Sequence, residues 1–193
     1  MPLEEMAAFF DARVDGYETH MRKNVAGSGV FYAETARALP LAPGLKLLDL
    51  GCGTGLELDE VFRLCPDARV TGIDLSSRML AALRQKHAGR SLTLIQGDCL
   101  ALPFPGPFHA AVSVEAMHHF DRETKVRLYR KIAAALAPGG VYVETDFVAE
   151  DDAFERSCLD GLRRAVPDRP AGVYHVDIPM TPEHQLALLG EAF

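Results

Sequence analysis

The stretch Leu45-Lys46-Leu47-Leu48-Asp49-Leu50-Gly51-Cys52-Gly53-Thr54-Gly55 constrains this chain more than any other. An apolar run of strand character enters a turn with three glycines in five positions, and a helical pattern follows from Leu56. This is a strand, a tight loop and a helix start. Glycine adopts φ > 0 at no steric cost and leaves no Cβ between a ligand and the main-chain N–H groups. The loop is therefore expected to carry a ligand, and the rest of the chain to supply the other half of a nucleotide-type site.

From residue 45 onward apolar runs and helical periodicity alternate. Strands are predicted near 45–50, 69–74, 91–96, 109–115 and 140–147, and helices near 55–65, 77–88 and 122–137. Such alternation implies right-handed crossovers and a Rossmann-like α/β sandwich, with a mostly parallel sheet between helical layers. Pro66-Asp67, Gly89 and Pro138-Gly139-Gly140 mark turns between elements. Upstream, Met6, Phe9, Phe10, Val14, Tyr17 and Met21 recur at three- and four-residue steps, predicting one amphipathic helix or two short ones over 3–24, with a bend at Gly16. The turn Gly27-Ser28-Gly29 leads into a second helical stretch, 31–39, which Pro40 and Pro43 close. Preceding the first strand, these helices can lie over a site as a lid. Downstream, 151–166 reads as helix, 167–170 as loop, and 182–193 as the start of another helix.

With 193 residues and 48% hydrophobic content, the chain fits one globular domain. It divides into a helical cap (1–40), a cofactor-binding core (45–148) and an acceptor-side tail (149–193). A net charge of −7 provides no electrostatic footprint for nucleic acid or an anionic membrane. No run approaches the roughly 18 apolar residues a membrane helix needs, and the first residues lack a signal-peptide layout, so a cytoplasmic location is expected. The four cysteines, Cys52, Cys65, Cys99 and Cys158, form no Cys-x-x-Cys pair and read as reduced, mostly buried thiols. Arg122, Lys125, Arg127, Arg130 and Lys131 are spread around their helix and read as a solvated surface.

In open parallel sheets the ligand sits beyond the carboxyl ends of the strands. Here those ends are polar. The second strand closes on Gly72-Ile73-Asp74, about 19 residues beyond Gly55, where a carboxylate can accept both hydroxyls of a ribose. The third is followed by Gly97-Asp98-Cys99-Leu100, where Asp98 can accept from an adenine amino group. Leu56 stands where the third glycine of a dinucleotide fingerprint would fall, and no Gly-Lys-Ser/Thr follows the loop, so a nucleoside without a diphosphate is expected.

The series Asp49-Leu50-Gly51-Cys52-Gly53-Thr54-Gly55, Gly72-Ile73-Asp74-Leu75-Ser76, Gly97-Asp98 and Leu136-x-Pro138-Gly139-Gly140 resembles the motifs of the class I S-adenosylmethionine-dependent methyltransferases over roughly 45–147. The resemblance implies a sheet of order 3-2-1-4-5. It also implies S-adenosylmethionine as cofactor, S-adenosylhomocysteine as product, and methyl transfer as the activity. The glycine loop would pass under the methionine part, Asp74 would take the ribose diol, and Asp98, Cys99 and Leu100 would border the adenine, with Leu75 and Met79 packed on its ring. Asp49 would act from below the loop, and Tyr17 and His20 would belong to a segment that closes over the cofactor, where an aromatic ring could face the sulfonium.

Ser113-Val114-Glu115-Ala116-Met117-His118-His119-Phe120 resembles the segment that touches both cofactor and acceptor in small-molecule enzymes of this family. It lacks the Asn/Asp-Pro-Pro-Tyr signature of nucleic-acid amino methylation, so a small-molecule acceptor is expected. Methyl transfer from a sulfonium chiefly needs alignment and a dry pocket. Where an acceptor must lose a proton, the candidates are His118, His119, Glu115, Asp146 and His175 with Asp177. His175-x-Asp177 offers only two ligands, so no metal is assigned. Methylation of RNA or protein, a non-catalytic cofactor-binding regulator, and nicotinamide-dependent oxidoreduction are the rival readings. The family's sheet usually runs past five strands, while this chain stops within its last predicted helix. A truncated sheet is therefore expected, with the fifth strand an apolar edge open to homodimerisation.

Overall fold

A computed structural model describes residues 4–165 and 173–193. Five parallel strands form one sheet in the order β3-β2-β1-β4-β5: β1 (Lys46–Leu50), β2 (Arg69–Asp74), β3 (Ser91–Gln96), β4 (Phe108–Val114) and β5 (Leu136–Thr145). The order reverses between β1, where the chain moves outward to β2, and β4 on its other side. That switch point opens a crevice beyond the strand ends. The helices are α1 (Met6–Asp11), α2 (Val14–Asn24), α3 (Ser28–Ala38), α4 (Leu56–Leu64), α5 (Ser77–Lys86), α6 (Arg122–Ala135), α7 (Asp152–Ala165) and α8 (Pro182–Gly190).

β1 is the spine because both of its faces are covered. Leu47 packs with Val70, Ala110 and Val112 against Leu58, Val61 and Phe62 of α4. Leu48 and Leu50 pack on the other face with Ala111 against Leu128, Tyr129 and Ile132 of α6. Period-two alternation thus feeds two cores. Helix starts follow local chemistry. Ser76 Oγ accepts from Met79 N at 3.0 Å, Asp121 Oδ1 from Thr124 N at 2.9 Å, and Thr181, followed by Pro182, caps α8.

Several expectations change. The N-terminal stretch is two helices, but the break falls at Ala12-Arg13, while Gly16 lies inside α2. Arg13 fixes that corner by donating to the Phe9 carbonyl at 2.8 Å and pairing with Glu4 at 3.2 Å. Ser28 and Gly29 belong to α3, whose start is set by Gly27 at φ 78°. Pro138-Gly139-Gly140 lies within β5, which begins at Leu136, because a register shift between Phe108 and Ala110 absorbs the turn as a bulge. Lys125 is buried, its Nζ donating to Gln185 Oε1 at 2.8 Å, and Lys131 Nζ donates to the carbonyls of Cys99, Leu100 and Leu102 at 2.6, 2.8 and 2.8 Å. Two members of the basic helix are therefore structural. The predicted loop at 167–170 lies outside the described residues. Cys52 and Cys65 are buried, Cys99 and Cys158 half-buried, and all four are free thiols. β5 stands at one end of the sheet beside β4, with Val141 and Phe147 exposed near it. Among the described residues no helix is long and apolar enough to cross a membrane.

Candidate functional site

The loop after β1 turns three times through left-handed backbone, at Gly51 (φ 69°), Gly53 (φ 47°) and Gly55 (φ 70°). A Cβ on Gly51 would stand 2.9 Å from Ala116 Cβ, and one on Gly55 would clash with Leu83 Cδ1. The glycines thus serve the fold as well as the approach of a ligand. Asp74, at the end of β2, accepts from Gly53 N and Ser76 N, each at 2.8 Å. A carboxylate has about four lone-pair positions, so it retains capacity to bind a diol. Burial pushes the Asp74 carboxyl up, while the backbone N–H groups of Ser76 and Gly53 draw it down; the balance remains above the ordinary value.

Two cavities meet over these strand ends. The first is a slit of about 70 Å³ walled by Gly51, Gly53, Asp74, Leu75, Met79, Gly97 and Cys99 below and by Met6, Phe10 and Tyr17 above. The second, about 580 Å³, runs between α1–α2 and the tail, past Phe9, Phe10, Tyr17, Met21, His118, His119, His175 and Asp177. Phe10, Tyr17, Glu115 and His119 line both. The lid is tied down at both ends of the chain. Met6 N donates to Val173 O and His175 N to Glu4 O, both at 3.0 Å, and the His175 ring stacks on Phe9 with centroids 3.6 Å apart. Among the lid residues Tyr17 and His20 were legible as site candidates, and His20 lines the second cavity; Met6, Phe9 and Phe10 read as helix core because their spacing is that of any amphipathic helix.

The other loop candidates divide. Gly51, Gly53, Leu75, Met79, Cys99 and Glu115 face the slit, whereas Cys52, Thr54 and Gly55 pack beneath it. Asp98 is half-buried, one carboxylate oxygen accepting from Leu100 N at 2.8 Å, and Leu100 packs on the second core. Gly97 and Cys99 therefore present that loop to the slit, and burial pushes the Cys99 thiol up to about 12. Asp49 and Glu57 lie fully buried side by side under the glycine loop. The two carboxyls interact with each other, and among the described residues both oxygens of Asp49, one of Glu57 and the Thr54 hydroxyl find no hydrogen-bond donor. Burial raises both carboxyls, and the charge of Glu57 raises Asp49 further. A cationic amino group reaching the loop from the slit would match this uncompensated acidity.

On the acceptor side, a 3-10 turn, Met117–His119, follows β4. Glu115 precedes it at φ 52°, outside the comfortable range of a non-glycine residue, with its N–H held by Thr145 O at 2.8 Å. The adjacent histidine rings stay together, centroids 4.0 Å apart, but take different partners through Nδ1. His118 Nδ1 lies 2.6 Å from Asp146 Oδ1, while His119 Nδ1 lies 2.7 Å from Val176 O. Burial opposes charge on His118, but the hydrogen bond and charge of Asp146, with the charges of Asp177 and Glu115, outweigh it and hold the imidazole above its ordinary range. His175 goes the other way, lowered by burial and by its histidine neighbours. Sequence placed His118, His119, Asp146 and His175 in one candidate list; the fold brings the three histidines to one wall of the second cavity and sets the buried Asp146 side chain behind His118 as its partner. Arg13 joins them at the rim, its guanidinium 3.6 Å over the Phe9 ring.

Comparison with known proteins adds the lineage. Residues 47–140 match the methyltransferase domain family. The chain is 33% identical over 128 residues to a fatty-acid O-methyltransferase of Mycolicibacterium smegmatis, a match spanning 66% of this chain and 44% of that protein. It is 38% identical over 115 residues to a demethylmenaquinone methyltransferase of Thermus thermophilus, spanning 57% of this chain and 50% of that one. Matches of this kind leave about half of each relative uncovered. Among solved structures, a putative O-methyltransferase of Nostoc punctiforme superposes with a TM-score of 0.71 at 20% identity, over 95% of this chain and 53% of that chain, a likeness of fold.

Proposed function

We propose that this chain, which belongs to the class I S-adenosylmethionine-dependent methyltransferases, binds S-adenosylmethionine in the slit and directs its methyl group to a small, largely apolar acceptor carrying a hydroxyl. The residues suit that cofactor. Asp74 keeps free lone pairs at a strand end, Gly51 and Gly53 bring bare backbone to the slit, and the orphaned acidity of Asp49 and Glu57 lies under the place an amino-acid tail would occupy. Asp74 would accept the ribose hydroxyls, Leu75, Met79 and Cys99 would border the base, and Tyr17 would cover the sulfonium. The cofactor supplies a methyl on a positively charged sulfur, open to in-line displacement.

The chain's own task is then to align the acceptor, exclude water and take a proton. Phe9, Phe10, Met21 and Val25 give the second cavity its apolar wall. The observation that carries the reading is the His118–Asp146 pair, 2.6 Å apart, whose histidine lines the cavity that joins the slit through Glu115 and His119. Asp146 holds the proton on Nδ1, so Nε2 keeps its lone pair for the acceptor hydroxyl, and the proton passes to Nε2 as the oxygen attacks. The fatty-acid and quinone relatives act on small molecules, which supports an acceptor of that class. The test compares wild type with His118→Gln. Turnover should fall by about 10²–10⁴-fold while S-adenosylmethionine affinity stays within about twofold. Equal turnover would remove His118 from the mechanism, and loss of binding would show that the histidine belongs to the cofactor site instead.

A further inference from the structure

Asp177 belongs to the tail beyond α7, yet its carboxylate stands against both histidines of the turn after β4. Its Oδ1 is 3.6 Å from His118 Nε2 and 3.3 Å from His119 Nδ1. Among the described residues, one ring nitrogen of each histidine and one carboxylate oxygen of Asp177 lie within 4.8 Å of one another. The longer separation is too great for a hydrogen bond. It suits another arrangement: ligands about 2.0–2.1 Å from a tetrahedral zinc ion stand about 3.4 Å apart.

We infer that His118 Nε2, His119 Nδ1 and Asp177 Oδ1 form a three-ligand site for a zinc-class divalent cation, with its open position facing the acceptor cavity. The surroundings are those of a ligand set. Asp146 fixes the His118 proton on Nδ1 at 2.6 Å and so points the Nε2 lone pair at Asp177, the carboxylate–imidazole–metal order that tunes bound metals. The turn itself is anchored, because Ile178 N donates to His118 O at 2.9 Å, locking the tail that carries Asp177 onto the segment that carries the histidines. Two imidazoles and one carboxylate favour zinc, cobalt or nickel over magnesium or calcium, which take oxygen donors. To bind through Nδ1, His119 gives up its contact with Val176 O, one neutral hydrogen bond. The Asp177 side chain is half exposed, 52%, so the ion has a way in.

The site rests on geometry alone, while its consequence rests on the functional reading above. The cation takes the Nε2 lone pair that an acceptor hydroxyl needs and places positive charge beside a cationic methyl donor. Metal occupancy and methyl transfer therefore exclude each other, and the cation is an inhibitor.

The test titrates chelator-treated full-length protein with Co²⁺. One equivalent should bind, with the intense visible absorption of a four-coordinate site, and one equivalent of Zn²⁺ should displace it. Asp177→Asn should weaken Co²⁺ by at least tenfold, and Asp146→Asn by about 10–100-fold, while both variants keep their melting profile and bind S-adenosylmethionine. A missing cobalt spectrum, or unchanged cobalt affinity in Asp177→Asn, overturns the site. Zn²⁺ at one equivalent should suppress transfer and chelator restore it; acceleration by Zn²⁺ overturns the inhibitory role. A cobalt spectrum lost in Asp177→Asn supports the site even where no acceptor is methylated, so failure of the functional reading is told apart from failure of the site.

Discussion

Replacing Asp74 with alanine separates the role of this carboxylate in the fold from its role toward a nucleoside. In the free protein Asp74 makes two charge-assisted bonds, from Gly53 N and Ser76 N at 2.8 Å each, and these tie the glycine loop to the end of β2. Against that, burial is the largest influence on the Asp74 carboxyl and raises it, so the ionised group carries a desolvation cost. Removing both together leaves stability little changed, and the melting temperature should move by less than about 3 °C, equivalent to about 1 kcal/mol in a chain of this size. Binding is different. Two ribose hydroxyls each donating to a carboxylate are worth about 1.5–3 kcal/mol apiece, of which water entering the vacated space returns a part. A net loss of about 3 kcal/mol weakens the cofactor by about 150-fold. Calorimetric titration with S-adenosylmethionine and S-adenosylhomocysteine should show the same loss for both, because both carry the ribose. An affinity within about threefold of wild type for either compound would refute the placement of the ribose on Asp74.

Further consequences follow from the carboxylates, the glycine loop and the histidine pair. The Asp49 and Glu57 carboxyls lie above their ordinary values in the folded chain, chiefly through burial. A carboxyl that holds its proton more tightly folded than unfolded makes stability fall as pH rises above the unfolded value, here from the ordinary Glu value of 4.5 upward. Glu57→Gln should therefore raise the melting temperature of the cofactor-free protein by about 3 °C or more at pH 8 and hardly at all at pH 4; a uniform shift at both would contradict the burial argument. Gly55→Ala clashes with Leu83 Cδ1 and carries a φ of 70°, and should cost about 1–3 kcal/mol in denaturant unfolding, against almost nothing for Gly16→Ala, whose added Cβ meets no described atom within 4 Å. Asp146→Asn should lower turnover by about 10²-fold or more without weakening the cofactor, since the amide no longer fixes the His118 tautomer; unchanged turnover would mean that the pair is structural.

Much of this arrangement can be read along the chain because parallel strands buried on both faces leave continuous apolar runs. β1, β2 and β4 are of that kind, and the glycine loop with Asp74 follows from them, while the strand order was implied by the family resemblance. What sequence obscured depends on contacts between distant segments. The bulge that folds Pro138-Gly139-Gly140 into β5 is set by pairing with β4, and the burial of Lys125 by Gln185, 60 residues on. Asp98 stands at the expected strand end, yet its carboxylate closes its own turn on Leu100 N, a local bond that spacing does not reveal. The histidine wall was legible as a set of residue types but not as a geometry. Only the folded tail brings Asp177 to His118 and His119, and only the end of β5 brings Asp146 to His118.

The central claim is that a nucleoside-bound methyl group in the slit reaches an acceptor in the adjoining cavity. Its most direct test is a product assay with methyl-labelled S-adenosylmethionine over a panel of small hydroxylated acceptors, fatty acids and quinols included. Methylated acceptor and S-adenosylhomocysteine should appear in equal amounts, both lost in Asp74→Ala. Tight binding of S-adenosylmethionine with no label transferred to any acceptor and no S-adenosylhomocysteine above background would contradict the claim and leave a cofactor-binding protein without this activity.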